Sequence, residues 1–283
     1  MLEAISIGKQ FAARDGQADA PWVVRDLNFH IAEGELVTIV GPSGAGKSTI
    51  LSMLAQVEPP TEGRFTLRGQ VVLDAAHPVL RPGLDCQIGY VTQDDNLLPW
   101  RNLRDNILFP LEIQGRLDDA GRQKAQELMK TVGLEGYESY YPHQLSGGMR
   151  KRVAMAQTLI LDPDIILMDE PFSALDVQTR QLMENELLDL WAAPSASGAS
   201  HGRAVLFITH DLDEAIALSD RVVVLSAGPG TRPIGEFVID LPRPRNVAEI
   251  RDQARFVELH AQIWAVLRDE VLKGYDQQKR KAA

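Results

Sequence analysis

The 283-residue chain has one cysteine, no excess of positive charge and no long apolar run. Cys86 has no partner for an internal disulfide, which suits a reducing compartment. Lys and Arg number 29 against 39 Asp and Glu, a net charge of −10, so the basic footprint of a nucleic-acid binder is missing. Nothing approaches the roughly 18 uninterrupted apolar residues that cross a bilayer, and residues 1–11 lack a secretory layout. These absences argue against a secreted, disulfide-built or membrane-spanning protein. What is present is a 45% hydrophobic chain, long enough to hide about 70–75% of its unfolded surface, in about two domains or in one large α/β domain with additions.

Strand-like alternation opens the chain at 2–7, and a second strand is predicted at 24–31 beyond an Ala/Gly/Asp-rich loop at 12–21. The β-branched run 36–40 reads as a strand buried on both faces, followed by a glycine loop and a helix over 47–55. The middle, about 94–156, is poor in β-branched clusters. Its periodicity predicts helices at 97–113 and 117–132. Strand character returns at 165–168, 205–208 and 222–225, with a helix predicted at 177–191 and a small-residue loop at 194–198. No internal repeat is visible. After Pro244 the chain turns helical: Phe256, Leu259, Ile263, Val266, Leu267 and Val271 form one apolar stripe, for packing on its own domain or for a dimer or regulatory contact.

Gly41-Pro42-Ser43-Gly44-Ala45-Gly46-Lys47-Ser48 has the pattern G-x-x-x-x-G-K-[ST], between a strand and a helix as the motif demands. Glycines let successive N–H groups converge on phosphate oxygens, and the helix N-terminus adds its dipole. Lys47 supplies a point charge for the outer phosphates, and the Ser48 hydroxyl can ligate Mg²⁺. The apolar run 165–168 ends in Asp169 and Glu170. The first suits a magnesium ligand, the second a base for water facing the γ-phosphate. His210 ends another apolar strand, where ligands gather at the carboxyl ends of parallel strands.

Leu145-Ser146-Gly147-Gly148-Met149-Arg150, in order with the phosphate loop, Gln93, Asp169-Glu170, Ser173-Ala174-Leu175-Asp176 and His210, resembles the motif set of ATP-binding cassette (ABC) proteins over about 1–240. The resemblance implies an α/β fold: a P-loop NTPase (RecA-like) core with an antiparallel β edge, a helical subdomain inserted at about 94–156, and a helical tail over 241–283. It implies a working ATPase with ATP and Mg²⁺ as cofactors, in which Glu170, His210 and Gln93 serve catalysis. Ser48, Gln93 and Asp169 would hold the metal, and Thr49 would join Gly41 to Ser48 in binding nucleotide. Ser146, Gly147 and Gly148 would contact the nucleotide of a second cassette, with Asp176 linking the two sites. Phe11 falls where the family stacks an aromatic on adenine, with Trp22 as the competing ring. Met149 stands where the signature usually has glutamine.

Asn96-Leu97-Leu98-Pro99-Trp100, Pro229-Gly230 and Leu241-Pro242-Arg243-Pro244-Arg245 are similar to the nitrate, sulfonate, taurine and bicarbonate importer subfamily. The partners implied are a second cassette as a homodimer, transmembrane permease subunits and, indirectly, an extracytoplasmic solute-binding protein. No nucleic acid is implied. The implied place is the cytoplasmic face of the membrane, held through the permease. Chromosome ATPase heads, the class rival, carry coiled coils and basic surfaces that this sequence lacks.

Overall fold

The computed structural model describes residues 1–12, 20–76, 88–192 and 202–282. In chain order its elements are β1 (Leu2–Gln10), β2 (Trp22–Ile31), β3 (Leu36–Val40), α1 (Lys47–Leu54), β4 (Glu62–Leu67), β5 (Gln70–Asp74) and β6 (Ile88–Val91). Then follow α2 (Leu103–Ile113), α3 (Asp119–Thr131), α4 (Gly147–Leu159), β7 (Ile165–Asp169) and α5 (Val177–Ala192). The last are β8 (Ala204–Ile208), α6 (Leu212–Leu218), β9 (Arg221–Leu225), β10 (Pro233–Val238), α7 (Val247–Ile250) and α8 (Ala254–Ala282). Two compact units emerge: Met1–Asp85 with Ala204–Ala283, and Cys86–Arg203. Cys86, most of the 12–21 loop and the 194–198 loop lie outside the described residues.

The first unit holds an antiparallel sheet in the order β2-β1-β4-β5. It also holds a parallel core in which β3 lies between β9 and β8, with β10 antiparallel on β9. All five residues of β3 are buried, as its β-branched composition predicts for a strand covered on both faces. The hairpin β4–β5 was not legible in the sequence. Arg68 and Gly69 both take positive φ, 50° and 76°, which suits a two-residue turn whose twist matches the strands. β10 also escaped notice, because its half-exposed edge pattern carries no long apolar run. Phe256, Leu259, Ile263 and Leu267 of α8 are buried, and the helix packs on α6, β9 and β10 of its own unit. Val271 is 36% exposed, so the stripe fades there. Arg245 anchors the chain before α7 by donating to the carbonyls of Ser219 at 2.6 Å and Leu241 at 3.0 Å, and burial pushes its pKa down to about 10.

The second unit packs α2, α3 and α4 around Leu103, Ile107, Met129 and Val153, beside the parallel pair β6–β7. The helix expected at 97–113 begins only at Leu103. Asn102 caps it, its Oδ1 accepting from Asp105 N at 2.8 Å. Fully buried Asn106 ties down the segment before the cap: Oδ1 accepts from Leu98 N at 2.8 Å, and Nδ2 donates to the carbonyls of Leu98, Arg101 and Asn102. Those bonds hold 97–102 as irregular backbone despite its apolar spacing. Likewise α3 starts at Asp119, because Asp118 caps it by accepting from Gly121 N at 2.7 Å.

Candidate functional site

In the first unit, the loop between β3 and α1 takes the shape its glycines allow. Gly44 and Gly46 both have φ of 80°, in the left-handed region. A Cβ on Gly46 would lie 2.8 Å from Val23 Cγ1, so only glycine fits there, whereas nothing lies within 4 Å of the Cβ position of exposed Gly44. The buried Lys47 ammonium donates to the carbonyls of Gly41 at 2.9 Å and Pro42 at 3.1 Å. No described side chain caps the start of α1. An uncapped helix start, a buried cation and an open glycine in one loop suit an anion.

His210 belongs to the same unit. β3 and β8 are parallel with Ile39 opposite Ile208, so Gly41 and His210 leave neighbouring strand ends at the same height. His210 is exposed, while Thr209 beside it is buried and accepts from Asp211 N at 3.0 Å. Phe11, past the end of β1, is 45% exposed with Lys9 Nζ 4.9 Å from its ring centroid. Trp22 instead packs onto Gly8, whose Cβ position is 2.8 Å from the indole, with Arg25 over the ring.

In the second unit, β7 delivers Asp169 and Glu170. Asp169 is buried, and Glu170 has a φ of 44°, unusual for a residue with a side chain and typical of functional positions. Ser173 Oγ donates to the Glu170 carbonyl at 3.0 Å, and Gln93 Nε2 reaches Ser173 Oγ at 3.4 Å. Gln93 and Glu170 are thus joined through one hydroxyl. Ser146 caps α4, its Oγ accepting from Met149 N at 3.3 Å. Buried Gly148 packs where a Cβ would lie 2.8 Å from Thr179 Cγ2. Asp176 holds Thr179 in turn, with Oδ1 on its N–H at 3.0 Å and Oδ2 on its hydroxyl at 2.7 Å, bonds that keep the Asp176 pKa below the usual carboxylate range. Ser146 and Asp176 both face solvent.

With that geometry in view, comparison with known proteins is decisive. Residues 24–173, more than half the chain, match the family described as ABC transporter. The chain belongs to the ABC transporter family. It is 39% identical to a taurine import ATP-binding protein of Burkholderia pseudomallei, over 92% of this chain and 94% of that protein. It is 38% identical to a nitrate import ATP-binding protein of Synechocystis sp., over 94% of this chain and 95% of that protein. A dimeric ATP-binding cassette in a post-hydrolysis state, bound to ADP and Pi, matches with a TM-score of 0.69 and 29% identity, over 86% of this chain and all of that one. The cassette is accordingly an ATP-hydrolysing P-loop protein, with ATP and Mg²⁺ as its cofactors.

The donors present suit that pair. Among the described residues no three His, Cys, Asp or Glu side chains gather as a metal cage. Mg²⁺ needs none, since it is commonly held by a carboxylate or two, waters and substrate phosphates.

Two features of the cassette escaped the sequence. Lys151 looks like one of three solvated basic residues at 150–152, yet it is buried, and its Nζ donates to the carbonyls of Thr92 (3.3 Å) and Gln93. Burial pushes its pKa down, with Asp95 and Asp94 opposing. The signal was its three- and four-residue spacing from Gly148 and Met155, which share the buried face of α4. The other feature is the pair Arg150–Asp95, at 2.7 Å.

Proposed function

We propose that this cassette powers uptake of a small anion or sulfonate-type solute, such as nitrate, taurine, another sulfonate or bicarbonate, through separate permease subunits. The carrying observation is the anion cradle of Gly44, Gly46 and Lys47, joined to likeness with taurine and nitrate import proteins over nearly the whole chain. The cassette spans 1–240, with 94–156 as its helical insertion and 241–283 as an added tail.

In this reading Gly41 to Thr49 bind the phosphates, and Lys47 leaves its loop carbonyls for the β- and γ-phosphate oxygens. Mg²⁺ would offset phosphate charge when bound, and the residues that would hold it are Ser48, Gln93 and Asp169. Glu170 accepts the proton of the attacking water as its oxygen bonds to the γ-phosphorus and the bond to ADP breaks. His210 donates to the γ-phosphate. The exposure of Phe11 supports it over Trp22 as the adenine platform. Exposed Ser146 and Asp176 suit a site shared with a second copy of the chain, Ser146, Gly147 and Gly148 meeting the partner's nucleotide. Closure on ATP and release after hydrolysis would make a two-state element that drives the permease.

Among the described residues no helix is long and apolar enough to cross a membrane, so the cassette would sit at the cytoplasmic face by binding its permease. A solute-binding protein would act at the opposite face. The test is purification from membranes: the chain should bring down a permease, and a solute-binding protein paired with that permease should bind a small anion or sulfonate. A chain recovered from membranes with no permease attached, or a paired solute-binding protein that binds neither class of solute, would refute the reading.

A further inference from the structure

Two contacts one helical turn apart tie α8 to the phosphate loop and its surroundings. Gly274 is buried against Pro42: a Cβ on Gly274 would stand 3.1 Å from Pro42 Cβ and 3.7 Å from Pro42 Cγ. Four residues earlier on the same face, Glu270 Oε2 accepts from Ala227 N at 2.7 Å, and its Oε1 accepts from Lys273 Nζ at 2.6 Å. Ala227 leads into Gly228, whose Cβ position is 3.6 Å from the carbonyl oxygen of Gly44.

A glycine inside a long helix weakens it relative to alanine. Gly274 is not among the positive-φ residues, so its backbone conformation does not require glycine. What constrains it is the proline ring, which would have to give by a few tenths of an ångström to admit a methyl. Pro42 in turn carries the loop, because its carbonyl accepts from both Lys47 Nζ at 3.1 Å and Ala45 N at 3.2 Å. Moving the ring moves the carbonyl against which the Lys47 ammonium rests.

We infer that Gly274 is a positioning residue for nucleotide binding: α8 sets the seat of Pro42, and through it the place of Lys47 and the loop N–H groups. The inference rests on the ATP-binding role of the loop, and it gives the tail, outside the matched residues 24–173, a part in the reaction.

Gly274→Ala and Gly274→Val test it in the purified full chain, with Leu272→Ala on the exposed face of α8 as control. Calorimetric ATP binding, melting temperature and steady-state KM and kcat are the readouts. A methyl at 274 should weaken ATP binding about fivefold and raise KM more than it lowers kcat, as expected when one extra carbon is forced into a packed contact. The melting temperature should hold or rise, since alanine favours the helix. Valine should weaken binding further, and Leu272→Ala should change nothing. If Gly274→Val fails to fold, the alanine variant decides. Unchanged ATP affinity in Gly274→Ala, or an equal loss in Leu272→Ala, would overturn the inference. A wild-type chain that bound no ATP would refute the loop assignment instead.

Discussion

Arg150 on α4 donates from its Nε to Asp95 Oδ2 at 2.7 Å, tying the helix that Ser146 caps to the segment that carries Gln93. The pair is partly exposed, so its direct worth to stability is small, under about 1 kcal/mol. Its position matters more, because Lys151 grips the Gln93 carbonyl beside it. Asp95→Ala should leave the melting temperature and ATP affinity nearly unchanged while permease-stimulated turnover falls about fivefold, the kinetic equivalent of ~1 kcal/mol. Turnover equal to wild type in the assembled transporter would show that the link plays no part in coupling.

Glu170→Gln keeps the shape of the side chain and removes the base. ATP binding should persist, turnover should drop by at least ~10²-fold, and a nucleotide-bound dimer should accumulate on size-exclusion chromatography. Near-normal turnover would remove Glu170 from the mechanism.

Lys47→Ala deletes the buried ammonium that now rests on Gly41 and Pro42. Equilibrium dialysis should show most ATP affinity lost, since a charge-assisted phosphate contact disappears. In the wild-type chain, excess chelator should abolish hydrolysis. Activity that survives chelation contradicts the roles given to Ser48, Gln93 and Asp169.

Ser146→Arg places a bulky cation at an exposed helix cap while sparing the chain's own phosphate loop. Alone, the variant should bind ATP yet fail to dimerise on it. Mixed with Lys47→Ala chains, it forms dimers with one doubly defective and one intact composite site, so some hydrolysis should return. Ser146→Arg chains that turn over normally with the permease and still dimerise would rule out a shared site.

Asn106→Ala strips four hydrogen bonds from fully buried surroundings. Leaving the backbone of 97–102 unpaired should cost about 2–4 kcal/mol in chemical denaturation, because buried polar groups lose both partner and water. A loss below that of an ordinary surface substitution would mean the segment is held elsewhere.

The sequence by itself determined the phosphate loop, the strand Leu36–Val40 before it and the acidic end of β7. Each depends on local chemistry. Glycine accepts the φ of Gly44 and Gly46 without the strain a side chain would add, and a short, largely β-branched run has one comfortable environment. Membership of the family was legible for the same reason, since its motifs are short and ordered along the chain.

Only the tertiary structure decided the rest. β4 pairs on the edge of β1 and β5 on the edge of β4, and 97–102 is not helical because Asn106, beyond the cap, takes its backbone bonds. Whether Lys151 faces water or the Gln93 carbonyl depends on what stands opposite α4. Gly274 looks like a flaw in a helix until Pro42 is found against it. Asn106 acts from only a few residues away, but elsewhere the deciding partner is distant in sequence, and the periodicity of a segment records which face is apolar but not what meets it.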